Sequence, residues 1–395
     1  MFPPNARMKT ATGHRGASAV EKANRRMHDP SVGRCGALLK YYFPGNFTSG
    51  GGYFMHTANG GADPPRTGPD RAVRLDKSPN KEYTIYPTTR RKHTMSCCTI
   101  TGATRPKRAV LDTDTYNEID DQFALAYALL APEVLDLRAV VAAPFSNRRA
   151  ATPGEGMRKS CDEIARILDL FGRSAENFAR HGSESYLADR RTPVDSEGAR
   201  RIVELACEAH ASGGRLYVLA IAALTDVASA LLIAPEIAEY VTIVWLGGHQ
   251  IGYGKNDEFN LRQDVAAAQV VFDSAAPLVW IPCREVASKL TMTLAELAPS
   301  LAPAGKLGKF LYGRTEELMR ERDIPEKIIW DIAAVACFTV PEALTMRRIP
   351  APVLNDDRSW SSGAGRRELT VVADIDRAAV FADLFARLAR FTDQR

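Results

Sequence analysis

Residues 108–130 read RAVLDTDTYNEIDDQFALAYALL, and this stretch decides the fold. Its first part, Ala109-Val110-Leu111, is a short apolar run that ends in carboxylates. A run this short, with no polar residue on either alternating set, predicts a strand buried on both faces of a parallel sheet. Its second part sets Phe123, Ala124, Tyr127 and Ala128 at helical spacing. Pro132 then stands where a helix stops. Strand, loop and returning helix form the opening unit of an α/β domain.

The same unit recurs outward along the chain. Strands are predicted over 135–143, 215–221, 240–248, 277–283 and 369–375. Helices are predicted over 121–130, 156–171, 199–211, 226–233, 265–272, 296–301, 308–322, 331–338 and 381–391. In 156–171, for example, Ile164, Ile167, Leu168 and Phe171 fall on one face. The alternation predicts an α/β fold: one domain with a mostly parallel, Rossmann-like central sheet covered by helices on both faces. In such sheets ligands bind beyond the carboxyl ends of the strands, so the chemistry is sought there.

The whole chain has 395 residues and a formal net charge of +4. That average conceals a split. Residues 1–94 hold 16 basic and 6 acidic residues, a net of +10, and the rest of the chain carries −6. The first segment is rich in Gly and Pro and shows no sustained period of 2 or 3.6. It therefore reads as a disordered or loosely structured extension, followed by a globular domain over 95–395. Met95 is an alternative start that would remove the extension. The opening MFPPNARMKT lacks the apolar core of a secretory signal. The acids and the Gly/Pro content fit a mitochondrial transit peptide poorly. No run approaches the ~18 apolar residues of a membrane span. A cytoplasmic protein with no membrane partner is expected. Arg90-Arg91-Lys92-His93 is a short basic run that reads as solvated linker, so nucleic acid is not an expected partner. Seven cysteines in a chain this long do not form a disulfide framework.

The first strand ends in Asp112-Thr113-Asp114, and its helix opens with Glu118-Ile119-Asp120-Asp121. Alternation would put Asp112 and Asp114 on one side of the strand. Carboxylates gathered at one strand end repel one another unless a cation neutralises them, and oxygen ligands suit Ca²⁺ or Mg²⁺. The competing explanation is helix capping, which accounts for one or two acids but not for four around one turn.

Two families place an acidic pair after a first strand. The haloacid-dehalogenase-type phosphatases use Asp-x-Asp-x-Thr/Val, but the fifth position here is Tyr116. The run DTDTYNEIDDQFALAYALL more closely resembles the Asp-x-Asp-Pro-Gly-x-Asp-Asp segment of the nucleoside hydrolases, with a longer loop and no Pro-Gly. Further segments are similar to that family in order: VVAAPFSN ending at Asn147, LAIAALTDVASAL, IVWLGGH, EFNLRQDVAAAQVVF and IIWDIAAVA. Together they cover about 108–391. The resemblance implies a calcium-dependent hydrolase of the N-glycosidic bond of nucleosides, of the inosine/uridine-preferring type, with 95–395 as its catalytic domain. It implies Asp114, Asp121, Asp331 and the Ile221 carbonyl as calcium ligands. Asp114 would also be the general base toward a metal-activated water. Asp120, Asn147 and Asn260 would hold ribose hydroxyls, and Glu258 with Asn256 the 5′ end. Asp112 would support the cluster from behind. Many members carry His before the last metal Asp; here that position is Trp330, as in a purine-preferring branch, and stacking on the base is implied. His249 follows a strand end and is the histidine expected near the site. The longer loop brings Tyr116, Asn117 and Glu118 toward the sugar. The resemblance also implies a homo-oligomer, a dimer or tetramer. Two alternatives stand beside this reading: a phosphatase with Asp112 as nucleophile, and a non-catalytic nucleoside- or sugar-binding protein on the same fold.

Overall fold

The computed structural model describes residues 105–391. The extension expected over 1–94 lies outside the described residues. The first strand, β1 (Lys107–Thr113), is buried from Ala109 onward, as an apolar run without alternation requires. It is followed by helix α1 (Asp120–Leu129), β2 (Leu135–Ala142), α2 (Pro153–Leu170) and β3 (Ala179–His181). Then come α3 (Glu197–Ala211), β4 (Leu216–Ala220), α4 (Thr225–Ile233) and β5 (Val241–Leu246). The short α5 (Phe259–Gln263) leads into α6 (Val265–Asp273) and β6 (Leu278–Ile281). Helices α7 (Leu294–Leu301), α8 (Gly305–Arg322) and α9 (Ile332–Thr339) precede β7 (Leu344–Pro350), β8 (Glu368–Ile375) and α10 (Arg377–Arg390).

These eight strands form the main sheet in the order β3-β2-β1-β4-β5-β6-β8-β7, and the two-residue strands Thr291–Met292 and Lys327–Ile328, like Val353–Leu354 and Trp360–Ser361, pair separately. Every pairing in the main sheet is parallel except β8 with β7 at the edge. The chain builds outward from β1 in one direction and then, from β4, in the other. The switch between β1 and β4 leaves a crevice at their carboxyl ends, the usual ligand position in such a sheet. In the register, Asp112 lies opposite Ala220. The Ile221 amide then donates to the Asp112 carbonyl at 2.9 Å, which fixes Ile221 beside the first carboxylates.

Two apolar layers cover the sheet, and β1 alternates between them. Ala109 and Leu111 pack with residues of α1, α2 and α7 to α10. Val110 packs with residues of α3, α4 and α6 on the opposite face. No helix among the described residues is long and apolar enough to cross a membrane.

The expected elements are present, with revised limits and some additions. Helix α2 begins three residues early because Thr152 accepts from the Glu155 amide at 3.2 Å and Pro153 suits the first turn. Helix α10 begins four residues early, capped by Asp376 on the Ala379 amide at 3.1 Å. Strand β3 and helix α5 are too short to show a period. Strand β7, LTMRRIP, carries arginines and a proline because it is the exposed antiparallel edge.

One close approach positions the segment that carries Asn147. A Cβ on Gly156 of α2 would stand 2.0 Å from the Phe145 carbonyl oxygen, so α2 packs directly on the backbone leaving β2. Gly156→Ala should destabilise the fold by about 1–3 kcal/mol through overpacking. Gly313→Ala, in open space on α8, should stabilise it by roughly 0.5–1 kcal/mol. Denaturant titration of the two variants checks the contrast; equal effects would contradict the packing.

Candidate active site

The carboxyl edge of the sheet gathers its acids from three elements. Asp114 follows β1 directly. Asp120 and Asp121 open α1, whose N-cap residue Ile119 makes no side-chain cap. Asp331 is the N-cap residue of α9, yet its side chain makes no capping hydrogen bond. Asp331 at least is therefore not spent on capping. Oxygens of Asp120, Asp121 and Asp331 lie within 4.8 Å of one another. Asp121 is also within hydrogen-bonding reach of both Asp114 and Asp331, and it accepts from the Thr113 hydroxyl at 2.5 Å. All four acids are buried. Asp114 Oδ2 is buried without any hydrogen-bond partner.

Burial dominates the electrostatics. It pushes Asp114 and Asp331 well above the usual carboxylate range, and repulsion among the neighbouring acids adds to this. Burial, then repulsion from Asp120, lifts Asp121 to about 7. Asp120 is raised by burial and held back by Lys327. Sequence reasoning missed Lys327. Its buried ammonium lies 3.0 Å from Asp120 and 2.8 Å from Glu118, and donates to the Ile328 carbonyl at 2.6 Å. Arg322 pairs with the other oxygen of Glu118. The one sequence signal was a cation four residues before Asp331 in KIIWDIAAVA, and nothing in the run shows which way it points.

A cavity of about 590 Å³ opens over this floor. Asp114, Asn117, Asp120, Asp121, Asn147 and Ile221 line it, as do His249, Glu258, Asn260, Trp330 and Asp331. Asn147 donates to the Asn117 side chain at 2.7 Å, so the longer loop is tied to the second strand's exit. Asn260 donates to the carbonyls of Ile221 at 3.1 Å and Leu246 at 3.0 Å. The Glu258 carboxylate accepts from the amides of Gly248, Asn260 and Leu261 and thereby builds α5. Asn256 lies behind the wall: it is fully buried and holds the His249 backbone at 3.0 and 3.3 Å. Burial, then Arg284, lowers the His249 pKa, which favours a neutral imidazole.

Asp112 lies elsewhere. It shares the face of Val110, is fully buried and does not line the cavity. Burial and then Asp226 raise its pKa well above the usual range. Its contribution to the site is its backbone carbonyl, which holds Ile221. A carboxylate so enclosed is no nucleophile toward a substrate in the cavity, and this removes the phosphatase alternative. A larger groove of about 860 Å³ sits at the amino ends of β1 and β2, away from the acids.

Comparison with known proteins agrees with this geometry. The sequence matches the inosine-uridine preferring nucleoside hydrolase family over residues 109–382. No curated protein matches the chain. Among solved structures, a plant nucleoside hydrolase superposes with a TM-score of 0.56 at 22% identity, covering 72% of this chain and 99% of its own. A purine-preferring ribonucleoside hydrolase from Gardnerella vaginalis gives 0.59 at 20% identity, with coverage of 72% and 99%. An inosine-uridine preferring nucleoside hydrolase from Bacillus anthracis gives 0.55 at 18%, with 72% and 100%. These likenesses establish the shared fold.

Two tests follow from the crowded carboxyls. Folding raises Asp121 from ~3.9 to about 7, so the unfolded chain releases this proton first. The stability present below pH ~3.9 is then lost as pH rises through about 7. A divalent cation needs the ionised form, so the Tm rise on adding Ca²⁺ to chelator-treated protein should grow between about pH 5 and 8. A rise absent at all pH values would count against the metal site. Lys327→Met should cost about 3 kcal/mol or more, since it strips the counter-charge from the buried Asp120 carboxylate and one of the two from Glu118. A loss under ~1 kcal/mol would mean that Lys327 is not holding them.

Proposed function

The chain belongs to the inosine-uridine preferring nucleoside hydrolase family, and we propose that it hydrolyses nucleosides with Ca²⁺ held by Asp114, Asp121, Asp331 and the Ile221 carbonyl. Its class of activity is that of the family, N-glycosidic hydrolysis with a nucleoside substrate. The observation that carries the finer reading is the set of buried carboxyls at the β1/β4 switch, three of them within 4.8 Å of one another. The donor set fits a hard cation. It is all oxygen, its carboxyls cannot ionise together unaided, and Asp114 keeps an unpartnered oxygen. A bound cation of this kind supplies charge neutralisation and acidifies water.

The remaining roles fall to the chain's own side chains. Asp114 accepts the proton of the attacking water as general base. The bond from C1′ to the base breaks with positive charge building on the ribosyl group. The ionised floor stabilises that charge at no cost in reorganisation. Asp120, Asn147 and Asn260 hold the ribose hydroxyls. Lys327 opposes the effect of burial on Asp120 and holds its carboxylate in place. Trp330, half-buried in the cavity wall one residue before Asp331, stacks on the leaving base. A purine presents the larger face, so purine nucleosides are the preferred substrates in this reading. A neutral His249 is poorly suited to protonate the base.

A substrate panel with Ca²⁺ tests the assignment. Asp114→Ala should lower kcat by roughly 10²–10⁴, the usual contribution of a general base. Trp330→Ala should reduce kcat/KM more for inosine than for nitrophenyl riboside, whose leaving group needs no proton. Ribose release undiminished in Asp114→Ala would overturn the base assignment. Equal losses on both substrates would overturn stacking.

A further inference from the structure

The 5′ end of the sugar is the part of the substrate whose expected partners are already engaged. The Glu258 carboxylate takes three backbone amides at 2.7, 2.9 and 2.9 Å. The Asn256 amide is spent on His249 and lies outside the cavity. The cavity that Glu258 lines also carries Arg262, four residues on from it, and Arg284. Both are exposed. Neither has an ion-pair partner among the described residues, whereas Arg322 of the same cavity is paired with Glu118 and Arg148 reaches Glu321 at 3.9 Å. Each free guanidinium lies over a ring: Arg262 at 5.2 Å from the Phe259 centroid and Arg284 at 5.7 Å from that of Tyr253. Ring contact restrains the fork and limits the entropy lost when it binds.

A neutral hydroxyl needs one donor or acceptor and leaves two guanidiniums uncompensated. A phosphate monoester is the group that planar, doubly donating forks match. We propose that the cavity takes ribosides bearing a 5′-phosphate, nucleoside 5′-monophosphates, with Arg262 and Arg284 holding the phosphate. The orientation of the ribosyl group in this proposal rests on the hydrolase reading above. Water then supplies a hydroxyl to C1′ and a proton to the departing base. The N-glycosidic bond breaks, the phosphate ester stays intact, and the products are ribose 5-phosphate and free base, with no change of oxidation state.

Calorimetry on the full chain with Ca²⁺ separates the two readings. Ribose 5-phosphate should bind about tenfold or more tightly than ribose, the scale of a charge-assisted contact. The advantage should shrink with added salt. In Arg262→Gln/Arg284→Gln the advantage should fall to roughly twofold or less, with ribose affinity unchanged. In parallel, kcat/KM for inosine 5′-monophosphate should exceed that for inosine in the wild type and not in the double variant. Equal binding of the two sugars, binding of neither, or a double variant that loses both alike overturns the proposal. Hydrolysis of inosine with no gain from the phosphate overturns it and leaves the hydrolase reading standing. Arginine-dependent binding of ribose 5-phosphate without cleavage of either substrate supports it and overturns the hydrolase reading.

Discussion

Four buried carboxyls crowded at the carboxyl edge of the sheet, three of them within 4.8 Å of one another, are the constraint to which the rest of the molecule answers. A lone buried carboxylate costs several kcal/mol, and neighbours of like charge raise that cost. The fold offsets it with what lies at hand. Helices α1 and α9 both begin at the cluster, and their amino ends carry partial positive charge. Lys327 brings one full charge to Asp120 and Glu118. Those contributions leave Asp114, Asp121 and Asp331 with raised pKa values. A divalent cation of oxygen preference would close the remaining gap, and metal affinity and fold stability would then draw on the same residues.

The sheet order explains why these residues meet. Strands β1 and β4 are far apart in sequence but hydrogen-bonded neighbours, and the chain leaves them in opposite directions. The loops after them cannot fill the space between. Asp114 comes from one side and Ile221 from the other. The backbone bond from Ile221 to Asp112 and the Asn260 amide on the Ile221 carbonyl lock that carbonyl in place. Helix α5 is itself built on Glu258, whose carboxylate collects three amides. A residue expected at the substrate thus serves first as the brace of a wall.

The legible part of the sequence was the part with a period or a crowd. Apolar runs ending in acids, such as 109–114, show both strand and site, because burial on both faces removes every polar residue until the edge is reached. The pairing of acids from α1 and α9 was legible only through the family resemblance, since no local pattern relates residues about 210 positions apart. Lys327 was not legible: in a two-residue strand, no alternation shows which way a side chain points. Asp112 misled for a related reason. Strand geometry ends at Thr113, so the alternation that would place Asp112 beside Asp114 does not extend to Asp114. The side chain of Asp112 follows Val110 to the opposite face and meets Asp226.

The loop Thr115–Ile119 carries the clearest departure from the family pattern, and its physics differs in kind. A Pro-Gly turn is shaped by its own backbone, through a fixed φ and a permissive glycine. This loop is shaped by its side chains. The Asn117 amide closes a turn on the Asp114 carbonyl at 2.7 Å, and the Asn117 side chain is held by Asn147. Glu118 is clamped between Arg322 and Lys327. The same Lys327 holds Asp120, so the loop's conformation and the charge of the floor are set by one ammonium group. Loop order and site electrostatics are therefore linked here, where in a Pro-Gly turn they would be independent. A change in either must be felt by the other through Lys327.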